Sequence, residues 1–123
     1  MAADLLADGT LNGEAFNFGP PTNQCYSVSE LLEEMQLHWA GAIWQDVSEP
    51  GAVYEAGLLT LCCDKALNRI AWQPILSFAE NVAMTAVWYD AYYDCNANIW
   101  TLTQSQIEKY ETLGRDRGAV WAQ

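Results

Sequence analysis

Apolar positions recur at helical spacing in three stretches of this chain. Ser27 and Glu30 have the spacing of a capping box, in which a hydroxyl and a carboxylate satisfy the first free N–H groups of a helix. Val28, Leu31, Leu32, Met35 and Trp39 follow as one apolar stripe, and Gly41 closes it. Ser77 and Glu80 repeat the capping signal ahead of Phe78, Val82, Thr85, Ala86, Tyr89 and Tyr93 on one face, with Met84 and Trp88 opposite. A helix apolar on several sides is expected to be covered on more than one. A third capping pair, Thr103 and Gln106, predicts a helix carrying Ile107, Tyr110 and Leu113, limited by Gly114 and Gly118. A shorter helix is predicted from Asp64 as cap through Arg69, ended by Trp72-Gln73-Pro74.

Strand signals are shorter. Ala15-Phe16-Asn17-Phe18 alternates before Gly19-Pro20-Pro21; Ala42 to Val47 and Leu58 to Cys62 are apolar enough for strands. Residues Ala2 to Ala7, closed by Asp8-Gly9, read as the end of a longer helix, and Ser48 to Gly51 as a loop. The pattern predicts a small, helix-rich α+β domain with a few short strands. It lacks the β-α-β series of a Rossmann sheet. Its expected division is residues 1–96 as the main domain and 97–123 as a helical extension.

Composition narrows the picture. With 51% apolar residues, six Trp and six Tyr among 123 residues, the chain is expected to build a packed core. No apolar run is long enough to span a bilayer, and Met1 to Gly9 lack the basic start of a secretory signal. Net charge is −11, with Lys65, Arg69, Lys109, Arg115 and Arg117 as the only cations. Nucleic-acid phosphates and anionic membranes need clustered Lys and Arg, so neither is an expected partner. Cys25, Cys62, Cys63 and Cys95 make no C-x-x-C pair, and there is one His, so no metal site is expected. The cysteines read as small, mostly buried apolar residues of a cytoplasmic protein.

Four segments, in order, carry a resemblance. They are Gly13-Glu14-Ala15-Phe16-Asn17-Phe18-Gly19-Pro20, the capped helix from Ser27, Glu55-Ala56-x-x-Leu59-x-Leu61-x-Cys63-Asp64-Lys65-Ala66, and Trp72-Gln73-Pro74 leading to Val87-Trp88-Tyr89. Together they resemble the C-terminal, substrate-binding region of the extended short-chain dehydrogenase/reductases. The first and third, with Thr101 to Tyr110, point more narrowly to the CDP-glucose 4,6-dehydratases of that family. Three positions depart from the family pattern: Cys62 stands in place of Asp, Ile70-Ala71-Trp72 in place of Leu-Gly-Trp, and Tyr54 where His or Arg is frequent.

The resemblance implies nucleotide-sugar chemistry that this chain cannot complete alone. The family's reaction needs NAD held by a glycine-rich loop and a Tyr-x-x-x-Lys pair that draws a proton from a sugar hydroxyl. None of the eight glycines forms a G-x-G-x-x-G, and no Tyr is followed four residues later by Lys. No residue here is therefore expected to be catalytic, and NAD is expected only where a separate Rossmann half is present. The resemblance also implies that Glu55 accepts hydrogen bonds from sugar or ribose hydroxyls, that Tyr54 stacks on the base or bonds a phosphate, and that Asn17 orients the cleft. The corresponding bland readings are a solvated carboxylate, a half-buried Tyr and an Asn serving local backbone groups. His38 reads as a packed or surface side chain, Glu33-Glu34 as a solvated helix face, and Trp72 and Trp88 as core anchors. Two outcomes remain open: a substrate-binding part awaiting a Rossmann partner, with CDP-sugar affinity weak or absent alone, and an orphan interaction or small-molecule module that self-associates.

Overall fold

The computed structural model describes residues 9, 11–21, 23–47, 61–94 and 97–122. Four α-helices are present among them: α1 (Val28–Gln36), α2 (Asp64–Ile70), α3 (Phe78–Tyr93) and α4 (Ile99–Asp116), with a 3-10 turn at Val120–Ala122. The chain divides into two compact units. One comprises Met1–Gln24, Leu61–Ile75 and Ile107–Gln123; the other comprises Cys25–Thr60 and Leu76–Gln106.

The first unit is centred on Leu11, Ala66 and Ile70, with Phe16 and Trp72 packed against them. Asp64 is the first residue of α2 rather than its cap. Cys63 occupies the cap position without a side-chain bond, and the Asp64 carboxylate sits where the helix dipole favours an anion. At the other end Ala71 adopts left-handed backbone, φ 51°, and the Trp72 N–H donates to the Ala66 carbonyl at 3.2 Å. Trp72 is thereby turned onto the core, where it meets Phe18 edge-on at 4.9 Å between ring centres.

Gly114 does not end its helix, as its residue type suggests. It lies inside α4 because a side chain there has no room: a Cβ would stand 2.7 Å from Trp121 Cη2 and 3.1 Å from Ala122 Cβ. The turn at Val120–Ala122 folds back so that Trp121 stacks on Tyr110 at 5.2 Å. The helix stops instead near Gly118, whose φ of 71° is left-handed.

In the second unit both remaining capping boxes form. The Glu30 N–H donates to Ser27 Oγ at 3.2 Å and the Ser27 N–H to Glu30 Oε2 at 2.7 Å. The Ser77–Glu80 pair gives 3.3 and 2.8 Å. α3 packs on α1 and buries Val82 and Ala86, while Met84 and Trp88 are half-buried on its other side. The expectation of cover on two sides holds. The apolar stripe of α1 is used only in part: Leu32, Met35 and Trp39 are half-buried, whereas Val28 and Leu31 are exposed.

α4 begins a turn earlier than Thr103. Asn98 Oδ1 accepts the Thr101 N–H at 3.1 Å and acts as the cap. Thr103 and Gln106 serve α3 instead: Trp88 Nε1 donates to Thr103 Oγ1 at 2.9 Å, Thr103 Oγ1 donates to the Ile99 carbonyl, and Gln106 Nε2 donates to the Met84 carbonyl at 2.7 Å.

Among the described residues there is no β-strand and no Rossmann sheet. A ladder needs backbone partners on a second segment; among the described residues 15–18 make no ladder bond, and Ala42 and Ile43 donate only to the nearby Trp39 and Gly41 carbonyls. Ile43 and Val47 are exposed. The segment at 16–19 does lie beside 61–63, but the link is a side-chain bond and a close approach at Gly19, 3.5 Å from Cys63 Sγ for a Cβ placed there. Ala2 to Ala7, Ser48 to Gly51 and most of Leu58 to Cys62 lie outside the described residues.

Two substitutions test these constraints. Left-handed backbone costs a non-glycine residue about 1 kcal/mol, so Ala71→Gly is expected to raise unfolding stability in urea by roughly 0.5–1 kcal/mol. Gly114→Ala gains up to about 1 kcal/mol of helix propensity but drives a methyl into Trp121. It is expected to destabilise by about 1–3 kcal/mol through overpacking, read from the same denaturation curves.

Candidate functional site

The N-terminal part of the first unit gathers charge from two segments. Lys65, on the first turn of α2, points back to the segment before Phe16. Its Nζ lies 2.6 Å from Glu14 Oε2, donates to the Ala15 carbonyl at 2.8 Å and stands 4.8 Å above the Phe16 ring. Arg69, one turn on, reaches Glu14 Oε1 at 3.9 Å. The Lys65 hydrogen bond, then its charge, then that of Arg69 hold the Glu14 carboxyl below the ordinary glutamate range. Both cations that lie near the family-like motifs are therefore engaged within the protein, and neither is presented as a free phosphate ligand.

Asn17 falls beside this cluster. It is exposed, and its Nδ2 donates to the Cys62 carbonyl at 3.3 Å, so its amide serves a local backbone group. Tyr54 and Glu55 lie outside the described residues. His38 is a surface side chain on the turn after α1, with Nε2 3.4 Å from Glu34 Oε1. The cysteines are not the buried residues their type suggests: Cys25 and Cys62 are exposed and Cys63 is half-buried, all as free thiols. Cys95 lies outside the described residues. Trp72 and Trp88 are half-buried anchors rather than fully enclosed ones.

Each unit carries a concave surface among the described residues. In the second unit a shallow cleft of about 300 Å³ runs along α3 between Leu76 and Gln106. Asn81, Met84, Thr85, Trp88 and Tyr89 line it, so two aromatic rings and two side-chain amides contribute to its described lining, with no charged group among them. Gln106 spends its Nε2 on the Met84 carbonyl. In the first unit a cleft of about 280 Å³ lies between the Ala71–Ile75 segment and Arg117–Trp121. Arg117 is the one charged residue among its described lining, and its guanidinium donates to the Ile75 carbonyl. Pattern reading missed both clefts, since each depends on segments distant in sequence. The polar residues on α3 and at Gln106 were the available signal.

Among the described residues no group of His, Cys, Asp and Glu is arranged to hold a metal ion, and no helix is long and apolar enough to cross a membrane.

Comparison with known proteins adds a distant relation. Over 92 residues, 75% of this chain, the sequence is 25% identical to the CDP-glucose 4,6-dehydratase of Salmonella typhimurium (strain LT2). The chain spans about a quarter, 26%, of that enzyme's length. No family model matches the chain. No solved structure matches it either.

The Glu14 cluster makes a pH-dependent prediction. A lowered carboxyl pKa contributes stability above the unfolded-state value and loses it as pH falls through the folded-state value. The melting temperature of Glu14→Gln is expected to lie below the parent's at pH 7. The gap should narrow below a pH of about 4.3, the ordinary glutamate value, and close once the lowered pKa is passed.

Proposed function

We propose that this chain corresponds to the nucleotide-sugar-binding part of an enzyme similar to CDP-glucose 4,6-dehydratase, and that it has no catalytic activity alone. The observation that carries this reading is the ordered set of family-like segments. The similarity to the Salmonella enzyme, which covers three quarters of this chain and a quarter of that protein, supports it. In that setting 97–123 is a helical extension of the domain, and a Rossmann half supplies NAD and the Tyr-x-x-x-Lys pair. Glu55 accepts hydrogen bonds from ligand hydroxyls, Tyr54 stacks on the base, and Asn17 acts indirectly by holding the Cys62 carbonyl.

The charge arrangement then bears on affinity. Diphosphates are held by Arg and Lys, yet Lys65 and Arg69 are turned to Glu14. The binding energy for the diphosphate must come from elsewhere in a completed enzyme. Isothermal titration tests the reading. The chain alone is expected to show no heat with NAD and a dissociation constant for CDP-glucose of about 1 mM or weaker, some −4 kcal/mol. Adding a Rossmann half should tighten CDP-glucose binding, and Glu55→Gln should weaken it again while leaving stability within about 0.5 kcal/mol. Micromolar NAD affinity of the chain alone would overturn the proposal.

A further inference from the structure

The charges of this protein are segregated. All five Lys and Arg residues belong to the first unit. The second unit has none and carries Glu30, Glu33, Glu34, Asp46, Glu49, Glu55, Glu80, Asp90 and Asp94: nine carboxylates, a formal charge of −9 out of the chain's −11. An exposed cluster of stacked aromatic rings lies at the end of α3. There Tyr92 stacks on Trp88 at 5.2 Å and 10°, Tyr93 stacks on Trp39 at 5.7 Å and 9°, and the two tyrosines meet edge-on at 5.4 Å. Each tyrosine is held on one side by an indole, yet Tyr92 is 56% and Tyr93 65% exposed.

The same helix end is electrically unusual. The last turn of a helix presents unpaired carbonyls and favours Lys, Arg or His. α3 has no basic residue in its last turn; Asp90 lies there and Asp94 follows as the C-terminal cap. Ring faces and negative charge together suit a guanidinium, which is planar, weakly hydrated and stacks on aromatic rings. Tyrosine-rich surfaces of this kind are also enriched at protein interfaces.

We propose that the end of α3 around Tyr92, Tyr93 and Asp90 is a docking surface for a partner protein that presents arginines. Charge complementarity selects this occupant. Neither unit of a second copy offers net positive charge, at −9 for the second unit and −2 for the first (five cations against seven carboxylates), and nucleic acid or an anionic membrane would add like charge. Nothing in this assignment requires the nucleotide-sugar reading.

The test uses the full chain and two peptides of equal length and charge, one rich in Arg and one rich in Lys, followed by tryptophan fluorescence. The Arg peptide is expected to bind roughly tenfold more tightly, as stacking on aromatic faces would give. The double variant Tyr92→Ser/Tyr93→Ser should abolish that preference while leaving residual salt-sensitive binding of both peptides. Equal binding of the two peptides by the parent would overturn the proposal, because bulk charge would then suffice. So would a preference that survives in the double variant, or a dimer in sedimentation that the double variant dissociates. Should circular dichroism show that the double variant loses helix, Asp90→Asn carries the test. It is expected to weaken Arg-peptide binding roughly threefold at an unchanged melting temperature, by removing one charge beside the rings; unchanged binding overturns the proposal.

Discussion

Close packing over small side chains is the constraint on which both units depend. Among the described residues the two fully enclosed side chains of the hydrophobic core, Ala66 and Ala86, are methyl groups, and Gly114 is buried with no side chain at all. Small residues let helix backbones and aromatic rings approach directly, so that Trp72 can lie on α2 and Trp121 on α4. Little apolar volume is then enclosed per residue. Large side chains such as Val28, Ile43, Val47 and Trp100 stay at the surface. Because apolar burial is the main favourable contribution to folding, a structure of this kind gains much from any partner that covers those positions.

Polar links compensate where apolar contact is thin. The Trp88–Thr103–Ile99 chain and the Gln106–Met84 bond tie α3 to the start of α4 through half-buried groups. Hydrogen bonds shielded from water hold geometry better than exposed ones. In the first unit the Lys65–Glu14–Arg69 cluster joins α2 to the segment before Phe16, but it is open to solvent and contributes modestly. Its chemical consequence is that both cations of α2 stand beside a carboxylate.

The two functional proposals use different surfaces and different physics. The nucleotide-sugar reading lives in the family-like segments and needs groups supplied by another half. The docking surface lives in the second unit and follows from charge segregation and stacked rings already in place.

Local sequence determined the features whose physics is local. Two of three capping boxes, the period of α1 and α3, and the two-sided cover of α3 were legible because a hydroxyl and a carboxylate three residues apart, or apolar groups at helical spacing, interact within one or two turns. The absence of a dinucleotide loop was equally plain. Tertiary structure decided what local pattern cannot. Thr103 and Gln106 have capping spacing, yet α3 recruits both and leaves Asn98 to cap α4. Gly114 reads as a helix stop, yet it is a contact point for Trp121. Ala15 to Phe18 alternates like a strand, yet no backbone partner among the described residues turns it into a ladder. Lys65 and Arg69 resemble phosphate ligands by type, yet Glu14, some fifty residues earlier, engages them. In most of these cases the deciding group lies outside the local helical turn, from seven residues on for Trp121 to some fifty for Glu14, so its effect becomes visible only when packing brings it near.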